Sequence, residues 1–111
     1  MDRAKAKRKI RALIMRFVNR RESSINQSAS KRQVELNAIS NIRRKLSFFE
    51  KRTLEEHYIM VWQLQGDLYV LAPGSNAVAE EMALWGRIQG MMTFSKMKRD
   101  ELEGVQLRIS A

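Results

Sequence analysis

Apolar residues recur at helical spacing through the first half of the chain. The i, i+3, i+4, i+7 spacing of one face of an amphipathic helix is followed by Ile10, Leu13, Ile14 and Phe17. Basic residues lie off this apolar stripe. Residues 1–21 are therefore predicted to be a basic amphipathic helix. The polar stretch 22–30, which lacks apolar periodicity, is predicted to be a connector.

A second helix is predicted to begin near Ser30. Ser30 and Gln33 have the spacing of a capping box, in which each side chain accepts a hydrogen bond from the backbone N–H of the other residue. The apolar stripe of this helix consists of Leu36, Ile39, Ile42, Leu46 and Phe49.

Residues 58–72 contain two runs of aromatic, β-branched and aliphatic residues on either side of Gly66 and Asp67. Such runs favour a β-hairpin, because glycine readily adopts the positive φ that a two-residue turn requires. The alternative is a helix, since Thr53 and Glu56 also have the spacing of a capping box. We expect the hairpin.

The last third of the chain returns to helical patterns. A third helix is predicted to begin at Ser75 or Asn76 and to end near Gly90, and a fourth is predicted to begin at Thr93 or Ser95. The predicted fold class is α+β and mostly helical, with two N-terminal helices, a central β-hairpin and two C-terminal helices.

The length of 111 residues and the lack of cysteine limit the architecture. Two separate cores of this size would each need disulfides or metals, so residues 1–111 are predicted to form a single domain, with its core and hairpin in residues 31–111. The lack of cysteine excludes a disulfide framework and is typical of a reducing, cytoplasmic location. No apolar run approaches the ~18 residues of a membrane span.

Positive charge is concentrated in the first half of the chain. Residues 1–52 contain 16 Lys and Arg against 4 Asp and Glu, whereas residues 53–111 contain 5 against 8. A charge asymmetry of this kind indicates binding to a polyanion. The predicted polyanion-binding residues are Lys5, Lys7, Arg8, Lys9, Arg11, Arg16, Arg20, Arg21, Lys31, Arg32, Arg43, Arg44 and Lys45.

The basic first helix has three interpretations: the solvated face of a core helix, a phosphate-binding element, or a helix on a membrane surface. Solvated faces usually mix signs, whereas Asp2 alone opposes nine bases up to Arg21. A membrane-surface helix requires bulky apolar anchors, and Phe17 is the only aromatic residue of this helix. We therefore favour phosphate binding, with no preference between DNA and RNA.

Residues suited to catalysis are scarce. His57 stands beside Glu55 and Glu56, but a single histidine of this kind is more often a surface or strand-edge residue than a general base. Glu80 and Glu81 diverge by about 100° on a helix and do not converge on one point. The sequence also lacks a glycine-rich phosphate loop and metal-ligand spacing, so we predict a non-enzymatic protein without a cofactor or metal.

The aromatic residues of the predicted hairpin, Tyr58, Trp62 and Tyr69, form either a base-stacking platform or part of the core. We favour the core, because no basic residue lies within the hairpin and a small domain needs large hydrophobic residues. The residues predicted for the core are Phe48, Phe49, Trp62 and Trp85.

Together these patterns predict a small non-enzymatic accessory or regulatory protein, of the bacterial or bacteriophage type, that binds DNA or RNA through its first two helices. The hairpin and the last two helices then form the core or the interface of a homodimer. The alternative is an adaptor or inhibitor whose basic helices bind the acidic, nucleic-acid-like surface of a larger enzyme or complex. The two functions differ in the source of specificity. Recognition of a base sequence requires a few side chains that reach base edges in the nucleic-acid groove, whereas recognition of a protein requires a cluster of interface residues from which water is excluded.

Overall fold

The computed structural model describes the backbone of residues 2–25 and 29–110, and the side chains of residues 2–25, 31–49 and 51–102. The chain order of its helices is α1 (Arg3–Ser23), α2 (Ala29–Leu46), a 3₁₀ turn (Phe49–Lys51), α3 (Leu54–Gln63), α4 (Gln65–Val70) and α5 (Ala79–Ser110). No strand occurs in the described part of the chain, so the fold class there is all-α rather than α+β.

The prediction of a β-hairpin near residues 58–72 is wrong, because α3 and α4 occupy this segment. The capping box begins α3: the Thr53 hydroxyl accepts from the Glu56 N–H at 3.2 Å, and the Glu56 carboxylate accepts from the Thr53 N–H at 3.2 Å. Buried residues then recur every three or four positions at His57, Met60, Leu64, Leu68 and Leu71, with Val61 beside Met60. This helical periodicity and the cap outweigh the β propensity of the segment and its Gly-Asp pair.

One uninterrupted helix, α5, replaces the two predicted C-terminal helices. It begins at Ala79 rather than at Ser75 or Asn76, and it passes through Gly90 without ending. The Thr93 hydroxyl donates to the backbone carbonyl four residues earlier at 3.1 Å, as inside a helix, and does not cap a new one. A glycine inside a helix costs only about 1 kcal/mol. The buried face of α5 offsets this cost with Leu84, Trp85, Ile88 and Met92.

The first two helices lie where the apolar spacing predicts them. The Asp2 carboxylate caps α1 by accepting from the Ala4 N–H at 3.2 Å. Because α1 continues to Ser23, the predicted connector at 22–30 is shorter than expected. Residues 26–28 and the side chain of Ser30, which the predicted capping box requires, lie outside the described residues.

The buried apolar side chains form one cluster to which all five α-helices contribute. Helices α1 and α3 pack against α5, and α2 packs against α4 and α1. Phe17 of α1 stacks on Trp85 of α5, with ring centroids 5.5 Å apart. The core prediction is confirmed for Trp85 and Phe49, which are buried, and it is wrong for Phe48, which is 51% exposed.

Candidate nucleic-acid interface

Carboxylates at the start of α5 neutralise the cations at the C-terminal end of α1. Arg21 pairs with Glu81 at 3.1 Å, and both side chains are nearly buried. Arg20 and Arg16 both pair with Glu80, at 3.3 and 3.7 Å, in a more exposed setting. These three predicted polyanion-binding residues therefore hold α1 against α5.

Arg43 is also occupied by an acidic residue of the protein. Its guanidinium donates two hydrogen bonds to the Glu22 carboxylate, at 2.8 and 3.0 Å, and a third to the Asn19 side-chain oxygen at 3.1 Å. The hydrogen bond from Arg43 lowers the pKa of Glu22, and the bond to Glu22 raises the pKa of Arg43. This bidentate pair ties α2 to α1 and withdraws Arg43 from the predicted interface.

Three cations in the N-terminal half of α1 keep their positive charge available. Lys5, Arg8 and Lys9 are exposed and form no ion pair with any side chain that the structure describes. The neighbouring Arg3 differs, because it pairs with Glu55 of α3 at 2.8 Å. Lys5 and Lys9 are one helical turn apart, so their ammonium groups project from the same side of α1. We call these three residues, Lys5, Arg8 and Lys9, the α1 cation cluster.

A groove of about 620 Å³ lies between α1 and the segment that links α2 to α3. Its lining combines cations, small residues and an apolar floor: Ala4, Lys7, Arg8, Arg11, Ala12, Met15, Phe49 and His57. Phe49 and His57 are buried and close the bottom, while Ala4 and Ala12 are exposed on the rim. The groove therefore brings together three predicted polyanion-binding residues beside an apolar surface.

The histidine at the bottom of the groove is a core residue and not the surface residue that the sequence suggests. His57 is 1% exposed, its Nδ1–H donates to the Thr53 carbonyl at 2.7 Å, and its ring meets Phe49 edge-on at 4.6 Å. Burial has the largest effect and lowers the pKa of His57; the Thr53 carbonyl opposes it, Lys7 and Arg52 lower the pKa further, and Glu56 raises it, with a net lowering. These interactions favour a neutral imidazole at neutral pH.

A second group of cations lies on α2. Lys31, Arg32 and Arg44 are exposed, Lys45 is partly exposed, and none of them pairs with a carboxylate among the described side chains. Among the described residues, the Arg44 guanidinium donates only to the Asn41 side-chain oxygen, at 3.4 Å. Of the predicted α2 cations, only Arg43 therefore has a carboxylate partner among the described side chains. We call Lys31, Arg32, Arg44 and Lys45 the α2 cation cluster.

The aromatic residues of α3 and α4 lie nearer the surface than predicted. Trp62 is only partly buried and does not belong to the buried cluster, and Tyr69 is 55% exposed. Two cations of α5 cover Trp62: the Lys96 ammonium and the Arg99 guanidinium lie 5.7 and 5.1 Å from its ring centroid. Sequence spacing misses this arrangement, because the basic residues that accompany Trp62 are more than 30 positions away in the chain.

Within the described residues, no three His, Asp or Glu side chains are grouped so that they could hold a metal ion. No described helix is long and apolar enough to cross a membrane. Comparison of the chain with protein-family models, curated proteins and solved structures finds no match.

Proposed function

We propose that this protein binds nucleic acid through the phosphate backbone, with the α1 and α2 cation clusters as its contact residues. One observation carries the proposal. The fold uses Arg16, Arg20, Arg21 and Arg43 in ion pairs with its own carboxylates, but it leaves the α1 and α2 clusters without a carboxylate among the described side chains.

Exposed ammonium and guanidinium groups without a carboxylate partner can bind phosphates without first breaking an ion pair. Each phosphate that a cation neutralises releases condensed counterions, which provides a favourable free energy that decreases as salt increases. An exposed cation that already pairs with a carboxylate must first lose that partner. The unpaired clusters are therefore the residues from which we expect most of the affinity, and Arg43 is removed from the predicted interface.

The test compares two double variants that remove equal charge. Lys5→Gln with Lys9→Gln changes the α1 cation cluster, whereas Arg87→Gln with Lys96→Gln removes two exposed cations of α5. Glutamine has nearly the helix propensity of lysine and arginine, so both variants should fold. Affinity for a fluorescent oligonucleotide duplex is measured by anisotropy at ~50 to ~200 mM salt, the range over which phosphate contacts weaken strongly.

We expect the α1 double variant to bind more weakly and to reduce the slope of log affinity against log salt by about 0.9 for each lost contact. The α5 double variant should bind almost as well as the unmodified protein. Equal weakening by both variants would show that only net charge matters. Affinity that does not respond to salt would contradict phosphate binding altogether.

A second candidate function is that of a protein-binding adaptor or inhibitor whose basic helices bind an acidic surface. The observation that favours it is a set of exposed apolar side chains: Val78, directly before α5, is 57% exposed, and Met82 and Met97 of α5 are 44% and 57% exposed. Residues of this kind are typical of the apolar part of a protein interface. This function would be supported by a partner protein that stays bound to the unmodified protein after nuclease treatment and that does not bind the α1 double variant.

A further inference from the structure

We propose that Phe48, with Lys45 and Lys51 on either side of it, stacks on one unpaired base, so that the protein prefers single-stranded over duplex nucleic acid. This inference rests on the proposed function and names the form of nucleic acid that is bound. It concerns an exposed aromatic ring just after α2, whereas the function proposed above depends only on the exposed cation clusters.

The Phe48 ring is exposed at a point where the backbone is held in place. Its side chain is 51% exposed, whereas that of the next residue, Phe49, is fully buried in the core. The Phe48 N–H donates to the Lys45 carbonyl at 3.1 Å, and the Phe48 carbonyl accepts from the Lys51 N–H at 3.3 Å. The fold therefore holds an apolar ring in solvent on a hydrogen-bonded turn that Phe49 anchors.

The same two hydrogen bonds align Phe48 with two cations. Each bond joins residues three positions apart, and in a 3₁₀ turn the side chains of such residues lie one above the other, about 6 Å apart along the axis. Lys45, Phe48 and Lys51 therefore form one row with the ring between the two ammonium groups. Lys51 is exposed, Lys45 is partly exposed, and neither pairs with a carboxylate among the described side chains. We call these three residues the Phe48 row.

Other exposed aromatic residues lack this combination of ring and cations. Phe94 is 43% exposed, but the Tyr58 ring meets it edge-on at 5.0 Å and the Lys98 ammonium lies 5.5 Å from its centroid. Tyr69 is 55% exposed, but no Lys or Arg lies within fifteen positions of it in the sequence. Phe48 has cations on both sides, and no described aromatic ring or cation stacks on it.

A single strand of nucleic acid has the pattern that complements the Phe48 row. Each base within a strand lies between two phosphates, and an unpaired base can stack on an aromatic side chain. Proteins that bind single strands combine cations along the backbone with aromatic rings on which the bases stack. In a duplex the bases are stacked inside the helix, so a protein ring reaches the face of a base only after that base is flipped out. A duplex would therefore use the cations of the row and leave the ring without a partner.

The decisive variant removes the aromatic ring without changing the charge. Phe48→Leu keeps a large apolar side chain at the exposed position, and Phe48→Trp restores an aromatic ring there. Tyr69→Leu is the matched control, because it removes an equally exposed ring on α4 that has no neighbouring cation in the sequence. All three variants are checked for folding by circular dichroism before binding is measured.

The probes are a short single-stranded oligonucleotide, the duplex of the same sequence and a poly-glutamate peptide. We expect Phe48→Leu to weaken single-strand binding about tenfold, within the range expected for the loss of one stacked base. Phe48→Trp should bind the single strand about as tightly as the unmodified protein. Duplex binding by Phe48→Leu, and single-strand binding by Tyr69→Leu, should stay near those of the unmodified protein.

The fluorescence of Phe48→Trp provides a second measurement, because an indole that stacks on a base is quenched. Trp62 and Trp85 contribute to the signal of both proteins, so the difference between the variant and the unmodified protein reports on position 48. We expect the single strand to quench the variant more strongly than the unmodified protein, and the duplex to quench both equally. Equal quenching of both proteins by a bound single strand would contradict stacking at this position.

The binding results can also overturn the proposal. Unchanged single-strand binding by folded Phe48→Leu, together with weaker binding by the Lys5 and Lys9 double variant, would remove the stacking site and leave the proposed function standing. If Phe48→Leu weakens duplex binding equally, the ring does not select unpaired bases. If it weakens only poly-glutamate binding, the row is a site for an acidic protein segment and the proposal is wrong. If neither oligonucleotide binds the unmodified protein, the proposed function fails and this inference fails with it.

Discussion

Replacement of Arg21 by methionine removes a cation that the fold uses. The Arg21 and Glu81 side chains are only 12% and 8% exposed and meet at 3.1 Å, and the Ser24 hydroxyl also donates to the Glu81 carboxylate. Without Arg21, a nearly buried carboxylate keeps a single hydroxyl partner. Breaking a buried ion pair in this way costs about 3–5 kcal/mol. A small domain has a total stability of about 5–15 kcal/mol, so the melting temperature should decrease by more than ~10 °C.

Two further variants show whether this loss comes from the uncompensated charge. The Arg16–Glu80 pair is 3.7 Å long and its side chains are 61% and 53% exposed, so Arg16→Gln should cost less than ~1 kcal/mol. In the double variant Arg21→Met with Glu81→Leu, both charges of the buried pair are removed together. The Arg21 Nε atom is buried without a hydrogen-bond partner in the described structure, so the native pair is imperfectly satisfied. We therefore expect the double variant to recover most of the lost stability.

Urea denaturation followed by circular dichroism measures these differences, with oligonucleotide affinity determined for the folded fraction of each variant. The reasoning predicts a large loss of stability for Arg21→Met, a small loss for Arg16→Gln and a recovery for the double variant. It is refuted if Arg21→Met unfolds at the same urea concentration as the unmodified protein, or if the double variant is no more stable than Arg21→Met.

Gly86→Ala and Gly90→Ala should each raise the free energy of unfolding by up to about 1 kcal/mol in the same urea assay, because a Cβ at either position of α5 meets no heavy atom within 4 Å; a lower stability would reveal close packing at these positions. Because burial lowers the pKa of His57 below 6.5, the unfolded chain binds more protons than the folded chain near and below that pH, and stability should decrease as the pH falls from about 7 through the folded pKa. Melting temperatures measured across this pH window should decrease less for His57→Gln than for the unmodified protein. An identical decrease in both proteins would show that His57 does not cause the pH dependence. Carboxyl groups whose pKa values lie below 4.5, such as that of Glu22, affect stability at lower pH.

Local features of the sequence determine much of the helical structure. The apolar spacing of Ile10, Ile14 and Phe17 predicts the buried face of α1, and that of Ile39 and Ile42 predicts the buried face of α2, because an amphipathic helix must bury its apolar stripe. The spacing of Thr53 and Glu56 also indicates the start of α3. The hairpin prediction fails there because β propensity depends on context, and a cap followed by helical periodicity is the stronger local signal.

Tertiary structure alone decides which cations remain available. Arg21 and Lys5 have the same local signal, a basic residue on an amphipathic helix, yet Arg21 pairs with a carboxylate 60 positions away and Lys5 pairs with none in the described structure. The groove has the same origin, since Ala12, Phe49 and His57 line it together only because α1 packs against the 3₁₀ turn and α3. Periodicity determines which side of a helix is buried, because the apolar residues of one stripe lie within a few turns of one another in the sequence. Ion pairs and grooves depend on which helices pack together, and the long-range packing of the core sets the distances between side chains of different helices.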